Sequence, residues 1–199
     1  MKPAVARPKA VLFDWDNTLV DSWPAIHAAM AETQRAMGQA AWTLAETRAN
    51  VRRSLRDAFP DMFGDRWTDA RDIFYKTFLA VHLDLLEARA GAAEMLARLN
   101  DAGLYLGVVS NKTGDYLRRE ASHLGWSRYF GRLVGATDAA ADKPSVAPVD
   151  LALSGSGVAR GTDVWFVGDT AIDIECARNA GLAAILMGDL PPDAPEFAR

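Results

Sequence analysis

Cysteine is nearly absent from this chain: Cys176 is the one thiol in 199 residues, which excludes a disulfide framework and any CxxC metal or redox site. The expected setting is a reducing, cytoplasmic compartment. Long apolar runs are missing too. Half of the residues are hydrophobic, yet charges interrupt every apolar run well before the length a membrane-crossing helix needs. Neither sign of charge dominates, since 22 Lys and Arg against 26 Asp and Glu leave a net charge of -4, with a sequence pI ≈ 5.4. That balance offers no field to attract nucleic acid or an anionic membrane and points to a small soluble substrate. The first ten residues carry Lys2, Arg7 and Lys9 but pass directly into a short strand, without the apolar core and cleavage site of a secretory leader. No internal repeat is visible, and Ser154-Gly155-Ser156-Gly157 is too short to be more than a flexible turn.

What the chain does have is enough patterned apolar sequence for one substantial core and a small accessory domain. A first strand is expected at about Ala10 to Phe13. Pro24 then sits where a first-turn proline is tolerated, and Ile26, Ala29, Met30, Thr33 and Met37 recur at helical spacing until Gly38 stops the element. Thr43-Leu44-Ala45-Glu46 reads as a capping box, and Ser54-Leu55-Arg56-Asp57 as a weaker one. Pro60 and Gly64 are expected to break the run before a long amphipathic helix from Thr68 to Leu86, with Ile73, Phe74, Phe78, Val81 and Leu85 on its apolar face. Residues 20 to 88 hold no convincing strand.

From Gly91 the pattern changes to alternating helix and strand, the reading for parallel βα units. Helices are expected at Ala92 to Asn100, Gly114 to Leu124, near Pro148 to Leu153 and at Ile172 to Ala180. Strands are expected at Leu104 to Val109, Leu133 to Gly135, Val164 to Val167 and Ala184 to Met187. The fold class is α/β, a doubly wound, Rossmann-like parallel sheet interrupted by a helical segment.

Polar clusters follow the apolar strands. Asp14 and Asp16 leave the first strand one residue apart, so both aim at one volume, and two ionised carboxylates that close need a cation or a shared proton. Ser110-Asn111-Lys112 ends the second strand, Asp142-Lys143-Pro144 lies in a loop, and Gly168-Asp169-Thr170-Ala171-Ile172-Asp173 follows a later strand. Each cluster also has a plain structural reading. Asp14 and Asp16 suit a solvated turn, Ser110 and Asn111 a helix cap, Lys143 a solvated loop charge, and Asp169 or Asp173 the cap of the helix through Asn179. Together, in this order and spacing, they resemble the four motifs of the haloacid dehalogenase-like phosphatases. The first motif's usual glycine is Asn17 here, a residue that tolerates left-handed geometry.

The resemblance implies that residues 1–19 and 89–199 form the catalytic core and 20–88 a helical cap. It implies Asp14 as nucleophile, Asp16 as general acid and base, and Lys143 as the charge offsetting nucleophile and phosphate. Ser110 and the Asn111 amide would grip phosphate. Mg2+ would be the cofactor, held by Asp14, the Asp16 main-chain carbonyl and Asp169, with Asp173 acting through a water. Phosphatase chemistry is favoured within the family because dehalogenases lack an aspartate at the Asp16 place, and a phosphonatase would need a cap lysine, where residues 20 to 88 offer only Lys76. The substrate is expected to be a small phosphate ester, with phosphoglycolate suggested by analogy and with Arg52, Arg53 and Arg56 as candidates for a second anionic group. Arginines on such a helix also suit a solvated face. The family's Lys-Pro-x-Pro-Asp-Pro pattern departs here to Lys143-Pro144-Ser145-Val146-Ala147-Pro148. A phosphomutase acting on a sugar phosphate, or a non-catalytic phosphate-binding regulatory protein, are the alternatives. A monomer or weak homodimer is expected, with Phe59, Met62, Phe63 and Trp67 as cap core or dimer contact. Trp15 is read as packing behind the site and Cys176 as a small buried hydrophobe.

Overall fold

The computed structural model describes residues 7–51 and 55–188. In chain order the first elements are β1 (Ala10–Phe13), β2 (Val20–Asp21), α1 (Trp23–Ala36), α2 (Leu44–Asn50), α3 (Leu55–Phe63), a 3-10 turn at Gly64–Arg66 and α4 (Trp67–Val81). Next come β3 (Glu87–Ala88), α5 (Ala92–Asp101), β4 (Tyr105–Thr113), α6 (Gly114–His123) and β5 (Arg132–Ala136). The chain continues through α7 (Ala147–Leu153), β6 (Val164–Gly168), α8 (Ala171–Asn179) and β7 (Ala183–Leu186). Two compact units result, Met1–Val20 with Ala88–Arg199, and Asp21–Glu87.

In the first unit β1 is buried at all four positions, as a strand must be when both faces of a parallel sheet are covered. It occupies the middle of a five-stranded sheet of order β5-β4-β1-β6-β7, with parallel pairing throughout. Alternation then sorts side chains by face: Ala10 and Leu12 of β1 join Val164 and Phe166 of β6 in one apolar cluster with Val149, Ala152 and Leu153 of α7 and Cys176 and Ala177 of α8. Cys176 is fully buried, as its reading as a small hydrophobe requires. Phe13 pairs with Val108 on one side and Val167 on the other, so the carboxyl ends of β1, β4 and β6 lie level. That edge is where an open α/β sheet binds ligands.

The second unit is helical, with α1 packed on α4. Its core is aromatic: Phe59 meets Phe63 and Phe74 edge-on at 5.1 and 5.8 Å, and Phe74 stacks on Phe78 at 6.0 Å. The capping box at Thr43 and Glu46 forms as read, whereas Ser54 lies outside the described residues.

Four elements differ from expectation. Pro60 lies inside α3 instead of ending it; its φ is already helical, and the missing amide is offset by Phe59 and Phe63, which it brings onto one aromatic face. The long helix stops at Val81, five residues early. There His82 turns inward at 2% exposure and stacks on Phe78 at 5.3 Å, and the chain leaves the helix to enter β3. That strand pairs with β2, so the span 20–88 does contain strand, in two-residue pieces too short to carry a period. Finally β4 runs on to Thr113, with a register shift against β5 between Val109 and Thr113. Ser110, Asn111 and Lys112 therefore sit on an irregular strand end, where a bulge re-aims side chains.

Candidate active site

The carboxyl edge of the sheet collects the polar clusters of the first unit. Asp14 follows β1 directly, and its amide donates to the Val167 carbonyl of β6 at 2.8 Å. Asp16 and Asn17 then enter a tight turn in which the Asn17 amide bonds the Val20 carbonyl at 2.7 Å. Asn17 adopts φ 61°, the left-handed geometry its side chain tolerates. From the neighbouring strand β6, at the same edge, Thr170 caps α8 and Asp173 completes the capping box. Gly168 is required here because a Cβ at that place would collide with the Asp173 side chain.

Lys143 is the centre of the cluster. Its Nζ lies 2.6 Å from Asp14 Oδ1 and 2.7 Å from Asp173 Oδ1, with all three residues buried. The other Asp173 oxygen accepts from the Thr170 amide and hydroxyl at 3.0 and 2.6 Å. Helix capping and membership of the charged cluster thus coexist in one side chain. Thr18 donates to Asp169 Oδ1 at 3.0 Å and lies 3.5 Å from Asp14 Oδ2. Asn111 braces the lysine through the backbone: its amide nitrogen donates to the Lys143 carbonyl at 3.1 Å, and its oxygen accepts from the Lys143 amide at 2.9 Å. Ser110 is buried, with its Oγ accepting from the Lys112 amide at 3.1 Å.

Carboxylate oxygens of Asp14, Asp169 and Asp173 lie within 4.8 Å of one another. Burial pushes the Asp14 carboxyl up to about 7 despite Lys143, with Asp173 and Asp16 adding to the rise. Asp169 is raised to about 6, again chiefly by burial. For Lys143, burial alone would lower the pKa, but Asp14 and Asp173 outweigh it and hold the ammonium charged well above the usual lysine value. These directions agree: three carboxylates face one ammonium, and the cluster carries excess negative charge. A hard divalent cation with oxygen ligands fits that donor set.

Asp16 is held apart from this cluster. Its Oδ1 lies 2.7 Å from the Nζ of Lys112, whose ammonium also reaches both oxygens of Glu120 at 2.8 and 2.6 Å. Trp15 Nε1 donates to the same Glu120 at 2.6 Å, and its ring packs edge-on against Trp126 and Phe130, which places the indole behind the site. Lys112 belongs to the second polar cluster of the sequence without a role assigned to it there, and Glu120 belongs to none of the clusters. The available signal was that Glu120 falls on the buried stripe of α6 with Leu117 and Ala121, a place where an unpaired carboxylate is costly.

Among the substrate candidates, Arg52 and Arg53 lie outside the described residues, as does the side chain of Arg56. Their neighbour Arg48 pairs with Asp21 at 3.4 Å, and His27 Nδ1 lies 3.1 Å from Thr47 Oγ1. Both are structural contacts within the helical unit.

A family model described as haloacid dehalogenase-like hydrolase matches residues 11–187. A phosphoglycolate phosphatase of Xanthomonas campestris is 34% identical over 182 residues, covering 89% of this chain and 82% of that protein. One from Xylella fastidiosa is 33% identical over 185 residues, covering 91% and 80%. Among solved structures, a HAD-superfamily hydrolase from Ehrlichia chaffeensis superposes with TM-score 0.67 at 28% identity, covering 93% of this chain and 90% of that one. A haloacid dehalogenase-like hydrolase from Streptococcus pneumoniae shares the fold at TM-score 0.83 and 21% identity, over 96% and 90% of the two chains. The ordered motifs, the sheet that brings them to one edge and this likeness along most of its length agree that the chain belongs to the haloacid dehalogenase-like hydrolases.

Proposed function

We propose that the protein is a magnesium-dependent phosphatase that hydrolyses a small phosphomonoester through an aspartyl-phosphate on Asp14. The observation that carries this reading is the Asp14–Lys143–Asp173 cluster with Asp169 beside it and Asp16 held separately two residues on. Phosphoryl transfer needs a nucleophile, neutralisation of charge on the phosphoryl oxygens and a proton for the leaving oxygen.

An Asp14 oxygen attacks phosphorus as the bond to the leaving alcohol oxygen breaks, and Asp16 gives that oxygen its proton. Asp16 then takes a proton from the water that attacks phosphorus, phosphate departs and Asp14 is restored. Lys143 lowers the cost of bringing an anionic phosphate to an anionic nucleophile, and Ser110 with the Asn111 amide grips phosphate oxygens. Asp14, Asp169 and the Asp16 main-chain carbonyl would hold Mg2+, with Asp173 acting through a water, and the ion when bound supplies charge to the transferring phosphoryl group.

Residues 20–88 serve as the cap that selects the leaving group, and residues 1–19 with 89–199 as the catalytic core. The names of the Xanthomonas and Xylella relatives favour phosphoglycolate as the ester, with Arg52, Arg53 and Arg56 holding its carboxylate. The test is phosphate release from a panel of phosphoglycolate, sugar phosphates and nucleotides, with and without magnesium. Magnesium-dependent turnover of one ester, lost in Asp14→Asn, is expected. Exchange of phosphate between sugar positions without release would instead identify a phosphomutase, and inactivity on every ester would favour a binding protein.

A further inference from the structure

The two aspartates after β1 are each gripped by their own lysine, and only one of these lysines is used by the reading above. Lys143 binds Asp14; Lys112 binds Asp16. We infer that Lys112, anchored by Glu120 and Trp15, is the positioning residue that holds the Asp16 carboxylate toward the leaving oxygen. The inference rests on Asp16 being the acid and base of the proposed reaction.

Three observations separate this from ordinary packing. An ammonium has three N–H donors, and here three carboxylate oxygens lie within hydrogen-bonding distance, two from Glu120 and one from Asp16. The anchor is rigid: side-chain exposure is 7% for Lys112 and 1% for Glu120, and the Trp15 indole that bonds Glu120 is fully buried between aromatic edges. The third partner breaks the pattern of burial, because Asp16 keeps 27% of its side chain exposed. A buried ion pair adds little stability over an apolar pair of the same volume, so stability alone gives no reason for a buried lysine to extend to a solvent-facing carboxylate. A reaction that needs that carboxylate fixed to within a fraction of an ångström does.

The experiment compares two esters through kcat/KM, which reports transfer to Asp14. One is whichever alkyl ester of the panel the wild type hydrolyses best, whose alkoxide must be protonated on leaving. The other is p-nitrophenyl phosphate, whose phenolate leaves without help. Lys112→Met is expected to lower kcat/KM for the alkyl ester by about 100-fold, the scale of general acid catalysis, and for p-nitrophenyl phosphate by less than about tenfold. It should add nothing further in an Asp16→Asn background. Should Lys112→Met fail to fold, Lys112→Met with Glu120→Met replaces the pair by apolar groups, and the same ratio is read there. Equal losses on both esters in an active, folded variant, or a further loss in the Asp16→Asn background, would overturn the inference and leave the phosphatase reading standing. A wild type inactive on every ester would overturn that reading, and this inference with it.

Discussion

At the scale of single residues, the candidate site carries an imbalance of buried charge. Asp14 and Asp169 have pKa values of about 7 and about 6, raised from 3.8. Between the unfolded and folded values the metal-free protein binds more protons folded than unfolded, so this stabilisation is full below about pH 4 and is lost as pH rises through 6 and 7. A divalent cation competes with the same protons and binds more tightly as they leave. Magnesium is therefore expected to raise the melting temperature clearly above about pH 7 and little below about pH 6, with roughly 2.7 kcal/mol of stabilisation at a hundredfold excess over Kd. Equal shifts at both would place the cation elsewhere. Asp14, Asp16, Ser110, Asn111, Lys143, Asp169 and Asp173 were legible as candidates because they fall in ordered polar clusters near expected strand ends or in the loop before an expected helix, and the fold brings Asp14, Lys143, Asp169 and Asp173 together. Glu120 was not, since Arg118-Arg119-Glu120 has the composition of a solvated face while its third member turns inward. Thr18 and Thr170 were hidden for a related reason: a threonine near a helix start reads as a cap whether or not it also orients a carboxylate.

At the scale of elements, the junction of β6 and α8 is where sequence, packing and site meet most tightly. Gly168 lets the first turn of α8 press Asp173 against the strand end, so that one oxygen caps the helix and the other reaches Lys143. Gly168→Ala is expected to cost about 1–3 kcal/mol of stability from overpacking, measured by denaturant unfolding, and to lower turnover by displacing Lys143. Wild-type values for both would show that the junction tolerates a shift. The strands of the core were legible as apolar runs with turn residues between them, and β1 was placed to the residue. The helical unit was less so: the apolar pattern continues past Val81 because Leu85 keeps helical spacing, yet a buried His82 and the pairing of β3 with β2 are tertiary events that no local period records. Pro60 was misplaced for the same reason, its local penalty being outweighed by aromatic packing contributed from α4.

At the scale of the whole molecule, the proposed roles are phosphoryl chemistry for the α/β unit and choice of substrate for the helical unit. If Arg52, Arg53 and Arg56 hold a second anionic group, replacing all three by alanine should raise KM for phosphoglycolate by about 10- to 100-fold, the loss of one or two charged hydrogen bonds, while kcat/KM for p-nitrophenyl phosphate stays within about threefold. An unchanged KM would assign these arginines to a solvated face. The proposed phosphorylation of Asp14 during turnover is tested by quenching the magnesium-loaded enzyme with acid during steady-state hydrolysis and mapping the phosphoryl group by peptide mass spectrometry. One phosphoryl group is expected on Asp14 of the wild type, with Asp14→Asn unlabelled and inactive. Label on another residue, or an Asp14→Asn protein that turns over at the wild-type rate, would contradict it.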